Sequence, residues 1–422
     1  LSRNLLAEAL AAAKIRYAAR CPGSLRQWQD ATRAMPGGNT RSILYFDPFP
    51  LCMVSGEGCH LTDIDGHRYV DLLGEYTAGI YGHSSPVIQE AVGAALTNGI
   101  SLSAQTIAEA KLSRLIQERF PALEALRFAN SGTEANLLAV ATAIAFTRRR
   151  RVLVFEGAYH GSLLKFSGGA SPINVPHQFV IAPYNDAQAA RTTIRAHARE
   201  LACVLVEPML GAGGCIPGDP RFLEALAEET QAVGAVLIFD EIQTSRLSIG
   251  GRQGLLGLKP DLTTLGKYFG GGLSFGAFGG RSDLMALFDP RIPGSLAHAG
   301  TFNNNVLSMA AGCAGLSLLT AATLEKLNAR GDALRLELNS VLQACGARLA
   351  VRGLGSLMNF HATSGAADAA AAISLLFFEL MERGYYLAPR GFIALSLPLD
   401  DDTLAHFVDS LREVLIRHAP IL

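Results

Sequence analysis

The chain has 422 residues with a formal net charge of −1; 49% of them are apolar, 17% are charged and 43 are glycine. That length predicts more than one domain around a sizeable core, and the composition excludes a disordered or fibrous chain. A nearly neutral body attracts neither nucleic acid nor an acidic membrane, and a charged share below the usual roughly 25% predicts apolar surface covered by a second subunit.

The first forty residues read as one or two amphipathic helices, with Leu5, Leu6, Leu10 and Ile15 interleaved with arginines, ending at Met35-Pro36-Gly37-Gly38. The stretch 59–71 alternates apolar and polar residues around Asp65-Gly66, which predicts a hairpin. From about residue 105 short apolar runs alternate with helical segments, and strands are expected at 126–130, 151–156, 179–184, 202–207, 235–240, 261–266 and 274–280. Runs such as Cys203-Val204-Leu205-Val206 and Val236-Leu237-Ile238-Phe239 are apolar on both faces, as a parallel strand between two helix layers requires. The expected class is therefore α/β. After Asn305 helices are expected at 306–319 and 324–344, then strands near Met358 and Ile393 and a last helix near 404–418. This gives an N-terminal segment over 1–70, a large α/β domain over 71–307 and a smaller α+β domain over 308–422. The basic run 148–151 reads as the solvated end of a helix.

Seven cysteines with no C-x-x-C pair suggest neither a disulfide framework nor zinc, so no metal is expected and a reducing cytoplasm fits. No apolar run approaches the ~18 residues of a membrane span, and Arg3 and Glu8 interrupt the opening segment in a way unlike a secretory signal. The expectation is a cytoplasmic protein with no membrane partner.

In a parallel sheet the ligand crevice lies beyond the carboxyl ends of the strands. The first strand runs into Asn130-Ser131-Gly132-Thr133-Glu134 and a helical segment, a pattern that suits a phosphate cradle and equally a capping box; the residues alone favour the cap. The fifth ends Phe239-Asp240-Glu241, which also describes a magnesium-binding strand of a nucleotide hydrolase. That reading needs a G-x-x-x-x-G-K-[ST] loop, and Gly266-Lys267 is followed by Tyr268, with Asp261 where the first glycine belongs. G-x-G-x-x-G is absent too.

Only six lysines occur. Lys14, Lys111, Lys259 and Lys326 read as exposed, and Lys165 is open. Lys267 ends an apolar strand, precedes Tyr268-Phe269-Gly270-Gly271-Gly272 and has no acid within five residues; such an amine loses its charge readily and becomes a nucleophile. A phosphate cradle, an acid to hold a ring nitrogen protonated and an imine-forming lysine together meet the demands of pyridoxal 5′-phosphate, and Tyr159 in Gly157-Ala158-Tyr159-His160-Gly161 offers a face for stacking.

These motifs, with Pro260-Asp261-Leu262-Thr263-Thr264-Leu265-Gly266-Lys267, resemble the class III pyridoxal phosphate aminotransferases of fold type I over nearly the whole chain. The resemblance implies a mostly parallel seven-stranded sheet between helices and a smaller α+β domain built from both ends of the chain. Met35 to Arg41 and Gly276-Ala277-Phe278-Gly279-Gly280 resemble the branch containing glutamate-1-semialdehyde 2,1-aminomutase. Thr244-Ser245-Arg246-Leu247 and Ala388-Pro389-Arg390-Gly391-Phe392 depart from it and resemble β-phenylalanine aminotransferases, which act on (S)-β-amino acids.

Carried over by position, the resemblance makes Lys267 the internal aldimine and proton carrier, and Asp240 the partner of the pyridine nitrogen. It gives Ser131, Gly132 and Thr133 the phosphate, with Thr301 reaching it from a neighbouring subunit, so a homodimer with its active site at the interface is implied. Tyr159 stacks on the ring; Glu207 and Gln243 are ring-hydroxyl or outer contacts. Arg41 holds the carboxylate of the β-amino acid and Arg390 the α-carboxylate of a keto acid acceptor such as 2-oxoglutarate or pyruvate; Tyr76, with Phe46 or Phe49, lines the side-chain pocket. The competing readings are the aminomutase or another class III ω-transaminase, and a non-catalytic pyridoxal phosphate-binding regulator.

Overall fold

The computed structural model describes residues 2–363 and 366–419. The chain forms two compact units, Pro86–Lys326 and a second built from Leu1–Ser85 with Leu327–Leu422.

The core of the Pro86–Lys326 unit is a seven-stranded sheet, in the order Ala125–Ala129, Gly276–Gly280, Leu262–Gly266, Val236–Asp240, Leu201–Val206, Arg151–Phe155, Gln178–Ala182. Gly276–Gly280 runs antiparallel to both its neighbours and the other six strands are parallel to one another. Every expected strand is present within about two residues. The apolar runs make the sheet because side chains alternate between two helix layers. Val152, Val154, Cys203, Leu205, Val236 and Ile238 pack with Ala135, Ala139, Val140 and Ala143 of the helix Gly132–Thr147. Leu153, Phe155, Val204, Val206, Leu237 and Phe239 pack on the other face with Ala190, Ile194, Phe222, Leu223 and Leu226 of the helices Ala187–Ala196 and Pro220–Val233. Each Val, Leu, Ile or Phe buried in this way is worth roughly 1.5–3 kcal/mol. Local signals fix the helix ends. Asp219 caps Pro220–Val233 by accepting from Arg221 N at 2.8 Å, Pro220 fills its first turn, and Gly234 closes it at φ +64°.

The basic run is only partly a solvated helix end. Arg148 closes Gly132–Thr147 in a left-handed conformation, but Arg149 donates to the Leu201, Val233 and Gly234 carbonyls, and Arg151 begins a strand and pairs with Glu200 at 2.6 Å.

In the second unit the expected hairpin is His60–Asp63 with Arg68–Asp71, inside a four-stranded sheet. Buried Asp63 organises its turn: Oδ1 accepts from Asp65 N and His67 N, and Oδ2 from the Tyr69 hydroxyl at 2.7 Å. A three-stranded antiparallel sheet, Leu349–Leu354, Leu357–Ala362 and Phe392–Ala394, accompanies the helices Ser2–Arg20, Ala366–Glu382 and Asp401–Arg417. The helix Ala366–Glu382 is not among the elements expected from the sequence. Arg16 ties it to the first helix through Glu379 at 2.6 Å and Glu382 at 2.9 Å. Phe46 and Phe49 are core residues, packed against Tyr17 and, for Phe46, against Phe377 and Phe378. Among the described residues no single helix is long and apolar enough to cross a membrane.

Candidate active site

Asp240 closes its strand and is 4% exposed. A carboxylate so placed survives only with donors around it, and it has three. Asn136 Nδ2 donates to Oδ2 at 2.8 Å, His160 Nδ1 lies 2.8 Å from the same oxygen, and Ile242 N donates to Oδ1 at 3.1 Å. Asn136 is itself fixed: its Nδ2 also donates to the His160 carbonyl at 3.1 Å, and its Oδ1 accepts from the Thr264 hydroxyl at 2.7 Å. Sequence reasoning missed Asn136, Thr264 and the role of His160. The available signal was a lone asparagine on the alanine-rich, buried face of the helix that opens at Gly132.

Ser131 has extended backbone and caps that helix, accepting from Glu134 N at 3.2 Å, while Glu134 Oε2 accepts from Asn130 N at 2.8 Å. The cap is therefore real, and it leaves room for the cradle. The N–H groups of Gly132 and Thr133 fall in the first turn, where no intrahelical acceptor exists and the helix dipole is positive. Close backbone approaches bring the loops together here. A Cβ on Gly132 would lie 2.4 Å from Ile242, one on Gly161 2.1 Å from the Thr133 hydroxyl, and one on Gly276 2.2 Å from the Ser131 carbonyl.

Glu207 Oε2 accepts from Tyr159 N at 2.9 Å and Oε1 from Gly211 N at 3.0 Å. Burial, with the Asp240 charge adding to it and His160 opposing, pushes its carboxyl up to about 7. Glu241, buried just past Asp240, is likewise pushed up to about 7 by burial, although the Thr244 hydroxyl and the backbone N–H groups of Arg252 and Gln253 all donate to it. Gln243 lies against Gly211, and its Oε1 is buried without a hydrogen-bond partner.

Lys267 directly follows the strand Leu262–Gly266, half-buried, at φ +57°. A left-handed conformation costs a non-glycine residue on the order of 1–2 kcal/mol, strain of the kind that collects at functional positions. Lys111, Lys165, Lys259 and Lys326 are exposed; Lys14, expected to be exposed, is half-buried and pairs with Asp47 at 2.7 Å. Gly266 and Gly132 approach closely, so the Lys267 turn and the Ser131–Thr133 loop are neighbours. Tyr159 is 39% exposed. Thr301 is exposed, in a loop tied back by Asn303, whose Oδ1 accepts from Asn130 Nδ2 at 2.9 Å. Ser131, Gly132, Thr133, Tyr159, Glu207, Asp240, Gln243 and Lys267 thus lie at or just past the ends of sheet strands, and Thr301 lies in a separate loop.

Arg41, Tyr76 and Arg390 come together in the other unit. The Arg41 and Arg390 guanidinium carbons lie 5.8 and 5.9 Å from the centre of the Tyr76 ring, and Tyr76 stacks on Phe392 with centroids 6.0 Å apart. Arg41 also pairs with Glu75, a contact sequence reasoning missed. Tyr76 sits in a turn in which Gly74, Glu75, Tyr76 and Thr77 all have positive φ (+53°, +46°, +51° and +85°).

A doubly wound sheet with this set of groups at its strand ends defines an α/β enzyme of the pyridoxal phosphate type. Residues 45–415 match the aminotransferase class-III family, and the chain belongs to it. It is 52% identical to a β-phenylalanine transaminase of Variovorax paradoxus over 98% of each chain, and 36% identical to a glutamate-1-semialdehyde 2,1-aminomutase of Thermodesulfovibrio yellowstonii over 88% of this chain and 94% of the other. The crystal structure of a β-phenylalanine aminotransferase from Variovorax paradoxus superposes with a TM-score of 0.95 over 97% of each chain. The protein is therefore an aminotransferase of fold type I, and its cofactor is pyridoxal 5′-phosphate.

Proposed function

We propose that the protein transfers the amino group of an aromatic (S)-β-amino acid resembling β-phenylalanine to a keto acid such as 2-oxoglutarate or pyruvate. The convergence of Lys267, Asp240 and the Ser131–Thr133 loop at one sheet edge carries the reading, with Arg41 and Arg390 about one aromatic ring as the receptor for carboxylates. The β-phenylalanine transaminase at 52% identity supports the donor.

The residues fit the cofactor on three counts. The first-turn N–H groups of Gly132 and Thr133, with the Ser131 and Thr133 hydroxyls, suit a phosphate. Asp240, held by Asn136, His160 and Ile242, suits a protonated ring nitrogen. The Gln243 oxygen without a partner suits a ring hydroxyl. Lys267 would hold the cofactor covalently through Nζ, Tyr159 would stack on its ring, and Glu207 would orient Tyr159 through the backbone bond. When bound, the cofactor supplies an electron sink for the bond to the proton on the substrate's amino-bearing carbon. Lys267 Nζ would serve as the base that takes up that proton. Arg41 would grip the β-amino acid's carboxylate and Arg390 the α-carboxylate of the keto acid, each able to use two parallel N–H···O bonds. Thr301, beside exposed Phe302, would reach the phosphate of a second copy, in a cytoplasmic homodimer.

The experiment mixes enzyme, (S)-β-phenylalanine and 2-oxoglutarate or pyruvate and measures glutamate or alanine. Product dependent on both substrates supports the proposal; turnover of glutamate-1-semialdehyde without any acceptor overturns it in favour of the aminomutase.

A further inference from the structure

Glu75 has no part in the chemistry outlined above, yet it supplies the one carboxylate that pairs with Arg41 among the described residues. The contact is monodentate, through Nη1 and Oε1, and both side chains are about half exposed, at 45% and 54%. An exposed single-point ion pair is weak, whereas a carboxylate that engages a guanidinium by two parallel bonds binds it more strongly. Glu75 is also held in place by its backbone. It stands second in the run of four left-handed residues, with β-branched Thr77 at φ +85°, a conformation such residues rarely adopt. The next residue is Tyr76, whose ring lies against both Arg41 and Arg390. The strained turn therefore places an internal carboxylate and an aromatic face against the same guanidinium.

We propose that Glu75 is a built-in competitor at the substrate site, which occupies Arg41 weakly in the substrate-free protein and is displaced by a substrate carboxylate able to form the two-bond pair. This rests on the substrate-binding role of Arg41. The displaced carboxylate returns to solvent, so only the weak pair is given up. Displacement of Glu75 lowers the apparent affinity of every anion for Arg41 by the same factor.

The test is a double-mutant cycle on the holoenzyme using Glu75→Gln, Arg41→Ala and the double variant, with KM and kcat measured for (S)-β-phenylalanine at a saturating acceptor. Loss of an exposed pair of this kind corresponds to a roughly two- to fivefold fall in KM for Glu75→Gln, larger than any change in kcat, and to no effect of the same substitution once Arg41 is alanine. A rise in KM for Glu75→Gln would mean that Glu75 positions Arg41, and would overturn the proposal. So would an equal fall in the Arg41→Ala background, which would make Glu75 a mere source of negative field. If Arg41→Ala alone leaves KM unmoved, the failure lies in the assignment of Arg41, and the competitor idea falls with it.

Discussion

Asn136 is the residue through which the account of Asp240 is most exposed to test. Replacing Asn136 with alanine removes the 2.8 Å bond to the Asp240 carboxylate, the 3.1 Å bond to the His160 carbonyl and the acceptor of the Thr264 hydroxyl at once. The site is wholly buried, so water does not replace the lost partners without a rearrangement. A hydrogen bond to a charged group is worth about 1.5–3 kcal/mol and each of the two buried neutral groups left unsatisfied costs about 1–3 kcal/mol, so the loss comes to roughly 3.5–9 kcal/mol if the network does not relax. At about 2 °C per kcal/mol for a unit of this size, the thermal midpoint of the cofactor-free protein falls by about 7–18 °C. Thr264→Val, which removes one neutral bond, is the control and costs about 1–3 kcal/mol. The assay is scanning calorimetry or circular dichroism on both variants with the double variant, which reads the coupling between them. A shift for Asn136→Ala below about 2 °C, or one no larger than that of Thr264→Val, would refute the view that Asn136 fixes the Asp240 carboxylate.

Two further predictions concern the same sheet edge. Glu207 and Glu241 both have folded-state carboxyls raised to about 7 from an ordinary 4.5, chiefly by burial, so each favours folding most fully below pH 4.5 and loses that contribution as pH rises through about 7. Thermal midpoints should therefore fall between pH 5 and 8, and Glu241→Gln should flatten that slope by about half while leaving the part due to Glu207; an unchanged slope would show that Glu241 does not titrate there. Gly161→Ala should raise the dissociation constant of pyridoxal phosphate by tenfold or more. Its Cβ would sit 2.1 Å from the Thr133 hydroxyl on a backbone at φ +116°, so an alanine variant that retains cofactor normally would contradict the role given to the Ser131–Thr133 loop.

The sheet was legible in the sequence because its strands are buried on both faces, which leaves continuous apolar runs such as Leu201–Val206 with polar residues just past their ends. Lys267 stood out by rarity and by its apolar surroundings. What was not legible depends on contacts distant in the chain. Asn136 and Asp240 are 104 residues apart and Asn136 and Thr264 128, and no local pattern announces such a triad. Ala366–Glu382 is hard to read for another reason: every residue from Leu375 to Met381 is buried, so this half is a nearly continuous apolar run broken only by Glu379. Glu75 was hidden because its placement depends on a left-handed turn of non-glycine residues, which sequence propensities disfavour.

The central claim is that one amine, the side chain following Leu262–Gly266, carries the cofactor. Reducing the purified holoenzyme with borohydride, digesting it and sequencing the labelled peptide by mass spectrometry tests this directly. The account predicts a phosphopyridoxyl group on Lys267 alone, together with loss of turnover in Lys267→Ala. Label on Lys165 or any other lysine, or an active alanine variant, would contradict it.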